Sequence, residues 1–348
     1  MAQERIYLDA TAGQVWSTAA DILPAAANYG WSLGSGFHSE AARTRHLVET
    51  ALSTLAAAWD VDVQSIIPVH NLANAFAVAS QALEGEVAYS PICRKGLIQT
   101  VTTAAPQAQS LTVDRAGYID MTDLPAADWF VLQSGNHEVG SVDDLAEIES
   151  RTQAKQLVDA TEWAGRMPTL PNGDVIVTRS SAWGGPMSVC FVIFRHGAPG
   201  LSARQRQMLS PEPALIATAV SALERVGDIR HRQEVQLHAL SDLVAELSNI
   251  EGLEVHGDMS RPRLPHLLSF SVNHVDAEAL STELDKRGFA VGAASACVAD
   301  SAVTSHVLEA MGVSTSGNIR VSLPLETTAA ELETFAAAVK NSIEHLLN

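Results

Sequence analysis

The sequence is poor in cysteine. Its 348 residues hold three, Cys93, Cys190 and Cys297, far apart and without CxxC spacing. That excludes a disulfide framework, gives no zinc pattern, and makes a reducing, cytoplasmic setting the default expectation; no metal site is expected. Long apolar runs are missing too: none reaches the ~18 residues of a membrane-spanning helix, so no membrane partner is expected. The opening MAQERIYLDA has no apolar core and is not expected to be a signal peptide. Positive charge is scarce, with 22 Lys and Arg against 40 Asp and Glu and a net charge of −18. A chain this acidic offers no basic surface for a phosphate backbone, which argues against nucleic acid as a partner. It favours solubility and leaves room for a basic partner. Lysine is rarest among the charged residues: only Lys95, Lys155, Lys286 and Lys340.

What remains is the composition of a folded soluble protein, 47% apolar and 18% charged, with a length that suits one large domain and a smaller one. No fixed-period repeat or low-complexity tract is visible. Segment 39–59 has helical apolar spacing with Ser39 as its expected N-cap, and 71–83 reads as a second helix. The runs at 129–133, 155–160, 173–178 and 188–194 read as buried strands, with a helix at 143–153 between two of them. Strand, helix, strand in this rhythm predicts an α/β architecture with a mainly parallel sheet covered on both faces. A long helical stretch at 211–249 reads as a connector. Beyond it come strands at 267–272, 289–293 and 319–323 and helices at 276–287, 303–311 and 328–346, an α+β pattern, with turns at Gly257 and Pro262–Pro265. The expected division is a large domain over 1–235, whose first residues can pack with the small domain, and a small C-terminal domain over 236–348.

Six stretches, in order along the chain, resemble cysteine desulfurases of the class V aminotransferase family. They are IYLDATAGQ near the start, GSGFHSEAARTRHLVETALSTLAAAW, SGNHEVGSVDDLAEI (134–148), LVDATEWAGRMP (157–168), SACVADSAVTSHVLEAMG (295–312) and GNIRVSL (317–323). The resemblance implies the fold-type I architecture of pyridoxal phosphate (PLP) transferases: a mostly parallel seven-stranded sheet, a small C-terminal domain and a homodimer with its site at the domain junction. A PLP enzyme of this type needs a lysine amine, an acid at the pyridine nitrogen, a ring stacked on the cofactor, donors for the phosphate and a cation for the substrate carboxylate.

The resemblance places Asp159 at the pyridine nitrogen; a strand-end aspartate kept for local hydrogen bonding is the alternative. Counting on from Asp159, with Gly185 and Pro186 fixing the register, puts Ala182 at the lysine position and Ser181 at the neighbouring histidine. A methyl group forms no imine. Leu72 stands where a threonine would donate to the phosphate, and Arg94 where a histidine would stack. Glu162 replaces a glutamine that donates to the cofactor's phenolic oxygen, and MLSPEP (208–213) replaces the loop that offers a threonine to the partner subunit. Asn136 matches one asparagine near the cofactor, and His137 replaces the other. Arg320 matches the substrate-carboxylate arginine, followed by Pro324 in place of a glycine. Cys297 matches the persulfide-forming cysteine. Of the lysines only Lys95 lies beside a site position. Arg94 and Arg179 add positive charge near the two carboxylates Asp159 and Glu162, so arginine–carboxylate pairs are expected to fill some of the cofactor's space.

The expectation is a catalytically degenerate homologue with no covalently held cofactor. It would be a homodimer with a binding or regulatory role, and its protein partner would belong to sulfur or cofactor metabolism. The alternatives are an enzyme with changed chemistry, either taking a small anion on Arg320 and Arg94 or relaying sulfur through Cys297 without PLP, and a conventional PLP-dependent cysteine desulfurase or aminotransferase.

Overall fold

Strands buried at every position need cover on both faces, and the chain supplies it with helices on either side of a seven-stranded sheet. The computed structural model describes residues 5–13, 23–32, 34–197, 200–293 and 304–347. Its strands are β1 (Ile6–Leu8), β2 (Ile66–Val69), β3 (Val87–Tyr89), β4 (Gln109–Ser110), β5 (Trp129–Gln133), β6 (Lys155–Asp159), β7 (Val175–Arg179), β8 (Cys190–Phe194), β9 (Leu253–His256), β10 (Leu267–Val272), β11 (Phe289–Ala293) and β12 (Ile319–Ser322). The large sheet has the order β2-β8-β7-β6-β5-β3-β4. Both neighbours of β8 run against it, and the other adjacent pairs are parallel.

Alternation along the strands sorts side chains between the two faces. Ile176, Phe191 and Ile193 join a core with Leu55 and Val220 from the helices Ser39–Trp59 and Pro213–Glu224. Val175, Val177 and Val192 join the opposite core with Phe76 and Val101 from the helices Leu72–Ala79 and Lys95–Ala104. The second sheet, β1-β11-β12-β10-β9, is antiparallel apart from the β1–β11 pair. It is backed by the helices Ile229–Leu247, Ala277–Lys286 and Ala329–Leu347, with Leu240, Leu284, Phe289 and Phe335 in its core.

Three local expectations are corrected. The N-cap of the first long helix is His38, whose ring accepts from Ala41 N, and Ser39 is already inside the helix. The second helix ends at Ala79 and tightens into a 3-10 turn at Ser80–Ala82. The stretch 211–249 is two helices broken by Gly227, at φ +75°, a conformation that side chains other than glycine's avoid.

The two sheets are stitched together beside the site. Val142 N donates to Pro262 O (3.1 Å), Leu264 N to Gly140 O (2.7 Å) and the Tyr118 hydroxyl to Pro262 O (2.9 Å). These bonds seat the segment leading into β10 on the loop that follows β5, and bring His266 to the large sheet.

Candidate functional site

In sheets of this kind ligands bind beyond the carboxyl ends of parallel strands, and here that edge gathers charge. β6 ends on Asp159, whose Oδ1 accepts from Thr161 N (3.0 Å) and starts a tight loop. Trp163 N and Ala164 N then both point back at Ala160 O. The turn leaves Glu162 buried, facing the end of the neighbouring strand.

β7 ends on Arg179 and runs into the 3-10 turn Ser180–Trp183, closed by Gly184 at φ +80°. Trp183 anchors this turn. It is fully buried, its indole donates to Ala219 O (2.8 Å), and its ring meets Trp59 edge-on at 5.9 Å. Gly165 permits the approach: a Cβ there would lie 2.4 Å from Trp183 Cβ. Ser181 and Ala182, on the same turn, are buried, and Ala182 O accepts from the buried Arg166 Nε (2.8 Å).

Beyond β3 the chain turns at Ser90–Cys93 and starts the helix Lys95–Ala104 with Arg94 in the N-cap position. The Arg94 side chain reaches across the sheet edge. One terminal nitrogen donates to Glu162 Oε1, and Nε donates to Thr161 Oγ1 (3.1 Å). The same Nε stands 3.4 Å from Asp159 Oδ2, within ion-pair range but without hydrogen-bond alignment, so that oxygen has charge compensation and no hydrogen bond. From β7, an Arg179 terminal nitrogen also reaches Glu162 Oε1 (3.4 Å) and donates to Thr11 O (3.0 Å). His266 Nε2 stands 3.5 Å from Glu162 Oε2, and neither ring nitrogen makes a hydrogen bond among the described residues.

The electrostatics follow from these distances. Burial pushes Glu162 toward its neutral form. The His266 ring and then the charges of Arg94 and Arg179 outweigh that and hold the carboxyl well below its usual range. His266 moves down to about 4, because burial and the nearby Arg166 charge oppose a proton more than Glu162 favours one. Burial likewise lowers Arg179, with Arg94 adding repulsion. At neutral pH Glu162 is therefore a carboxylate facing the guanidinia of Arg94 and Arg179, with a neutral imidazole behind it.

The other expected positions divide. Asn136 is committed to backbone: its Oδ1 accepts from Glu138 N and Val139 N, and its amide donates to Ile92 O (3.1 Å), tying the β5 loop to the Arg94 loop. His137 lies against His306 (ring centroids 6.2 Å apart) and is held well below its ordinary pKa, first by burial and then by Arg94. Arg320 on β12 pairs with Asp9 (3.0 Å), over the bare Gly292. Leu72 opens the helix Leu72–Ala79, whose cap is Asn71, already accepting from Asn74 N. Cys297 lies outside the described residues. Thr161, His266 and His306 were not singled out in the sequence. Thr161 lies two residues past Asp159, a local signal that could have found it, whereas His266 and His306 are brought in by the fold.

Known proteins bear on this arrangement. The family model for aminotransferase class-V matches residues 210–335. A relative named putative cysteine desulfurase IscS 1, from Bacillus subtilis, is 26% identical over 99% of this chain and 100% of its own length. A cysteine desulfurase of Nostoc is 24% identical over 93% of this chain and 89% of its own. Among solved structures, a NifS-like protein superposes with a TM-score of 0.85 over 98% of this chain and 100% of its own, at 20% identity. The cysteine desulfurase CsdA of Escherichia coli does so with 0.78 over 98% and 95%, at 17% identity. The chain is therefore similar to the class V aminotransferase family over residues 210–335 and, over nearly its whole length, to proteins named cysteine desulfurases.

Proposed function

We propose that this chain is a family member that holds no covalently bound PLP and works by binding, as a homodimer that engages a protein partner in sulfur or cofactor metabolism. One observation carries the reading: no amine is placed to hold the coenzyme. Ala182, aligned to the lysine position through Asp159, Gly185 and Pro186, ends in a methyl buried on the Trp183-anchored turn. All four lysines, Lys95, Lys155, Lys286 and Lys340, are exposed. The donor set points the same way. Glu162 is held ionised where the resemblance implies a hydrogen-bond donor, and Arg94 already engages both carboxylates. These residues do not fit a Schiff-base cofactor.

The names of the relatives favour a second reading, an active PLP-dependent cysteine desulfurase. A trapping experiment separates the two. The purified protein is incubated with excess PLP, reduced with borohydride and mapped by peptide mass. The expected result is no stoichiometric pyridoxyl adduct on any lysine; a stoichiometric adduct, at Lys95 or elsewhere, overturns the proposal and reinstates the second reading.

A further inference from the structure

The disagreement between this site and its family's cofactor has a second part, independent of the missing amine. Asp159 and Glu162, 2% and 5% exposed, form a carboxylate pair at the sheet edge, and such a pair is a subsite for a cation. That subsite is filled from within the chain. Arg94 reaches both carboxylates and gives a third contact to Thr161, while Arg179 meets Glu162 alone.

Arg94 also holds the approach. A groove of about 710 Å³ runs between the helices Leu72–Ala79 and Lys95–Ala104, walled by Leu72, Phe76, Gly96 and Thr100. Of the four charged residues of the cluster, Arg94 is the one that lines it. Arg94 thus touches both the open groove and, through its guanidinium, the buried carboxylates. A planar guanidinium is weakly hydrated and presents its donors in a fixed fork, which suits it to this place better than a lysine ammonium.

We infer that Arg94 is the specificity-determining residue of this site: its guanidinium occupies the cation subsite of Asp159 and Glu162 and closes the site to ligands that need those carboxylates, PLP included. The inference rests on the reading that no covalent cofactor is held, and is tested with a probe that cannot become covalent. Pyridoxine 5′-phosphate carries the ring nitrogen and the phosphate but no aldehyde. Binding is followed by quenching of tryptophan fluorescence and by equilibrium dialysis.

The wild-type protein is expected to show no saturable binding. Arg94→Ala is expected to bind at least about tenfold more tightly than wild type. Arg94→Gln, whose amide still donates to a carboxylate, carries the same expectation if the alanine variant does not fold. Arg151→Ala, which breaks an exposed pair with Glu147 elsewhere, should gain nothing, and a gain there equal to that at Arg94 means general loosening and overturns the inference. Saturable binding by wild type, or no gain in a folded Arg94 variant, also overturns it. Those results leave the proposed function standing if borohydride traps no adduct, whereas a trapped lysine adduct brings down the proposed function whatever pyridoxine phosphate does.

Discussion

Two carboxylates lie in successive loops at one edge of the large sheet, Asp143 beyond β5 and Glu162 beyond β6, and their protons are held in opposite ways. Burial pushes both toward the neutral form. At Glu162 the His266 ring and two guanidinia reverse the push, and the group is held well below its usual range. At Asp143 burial wins. The hydrogen bond from Ile119 N (2.9 Å) and the charge of Arg261 lower its pKa too little, Asp114 adds repulsion, and it rises to about 6. Burial alone therefore does not decide ionisation at this edge; cations in direct contact do. Glu162 is kept charged because Arg94 and Arg179 converge on it.

The comparison breaks most easily at Glu162. Glu162→Ala leaves two largely buried guanidinia facing each other without their shared carboxylate, and the expected loss is about 3–5 kcal/mol of unfolding free energy. Arg151→Ala, in a pair whose side chains are 49% and 43% exposed, is expected to cost about 0.5 kcal/mol or less. Urea unfolding of both variants against wild type measures the contrast, and equal small losses would show that the cluster is not a stabilising unit.

A smaller effect appears with pH, through His266. Its folded pKa is about 4 against an unfolded 6.5, so between these values the unfolded chain holds a proton that the fold refuses. Stability is then full above about pH 6.5 and falls as pH drops toward 4. The shift corresponds to on the order of 3 kcal/mol. The groups facing the ring are Glu162 from the β6 loop, Arg166 further along that loop and Arg263 from the segment before β10. Denaturant midpoints between about pH 8 and pH 5 should fall more steeply for wild type than for His266→Gln, by up to one proton's worth of slope. Identical slopes would mean that the histidine titrates normally in the folded protein.

Much of this was readable in the sequence. β5, β10 and β11 fall on the residues expected, because each is a short, mostly apolar run bounded by polar or turn residues. β2, β3, β4 and β9 were not singled out: IIPV carries a proline, VAY and QS are too short to show a period, and LEVH is half exposed. At the site, the pairing of arginines with Asp159 and Glu162 was expected from their charges at positions that the resemblance brings together, and the ion pairs are present. His266 was not, since it lies 104 positions beyond Glu162 and reaches it only through the stitch between the two sheets. Arg320 pairs with Asp9, a contact that depends on β1 crossing to pair with β11.

Asp143 offers the mildest test of the contrast, and one with the opposite sign. Its folded pKa, about 6, lies above the unfolded 3.8. The fold therefore retains a proton that the unfolded chain has lost, and this group's own contribution to stability is largest below about pH 4 and is lost as pH rises through 6. At neutral pH the carboxylate is ionised at a cost to the folded state of on the order of 3 kcal/mol for a fully buried group. Asp143 keeps some solvent contact, which reduces this to about 1–2 kcal/mol. An amide in place of this carboxylate would retain an oxygen to accept from Ile119 N while never ionising. Asp143→Asn should thus stabilise the protein by about 1–2 kcal/mol at pH 8, with the gain shrinking as pH falls toward 5. At Glu162 the same exchange of carboxylate for amide should destabilise, because two guanidinia lose their counter-charge. If Asp143→Asn instead lowers the unfolding midpoint at pH 8, Arg261 compensates Asp143 more fully than its position suggests, and the two carboxylates are alike after all.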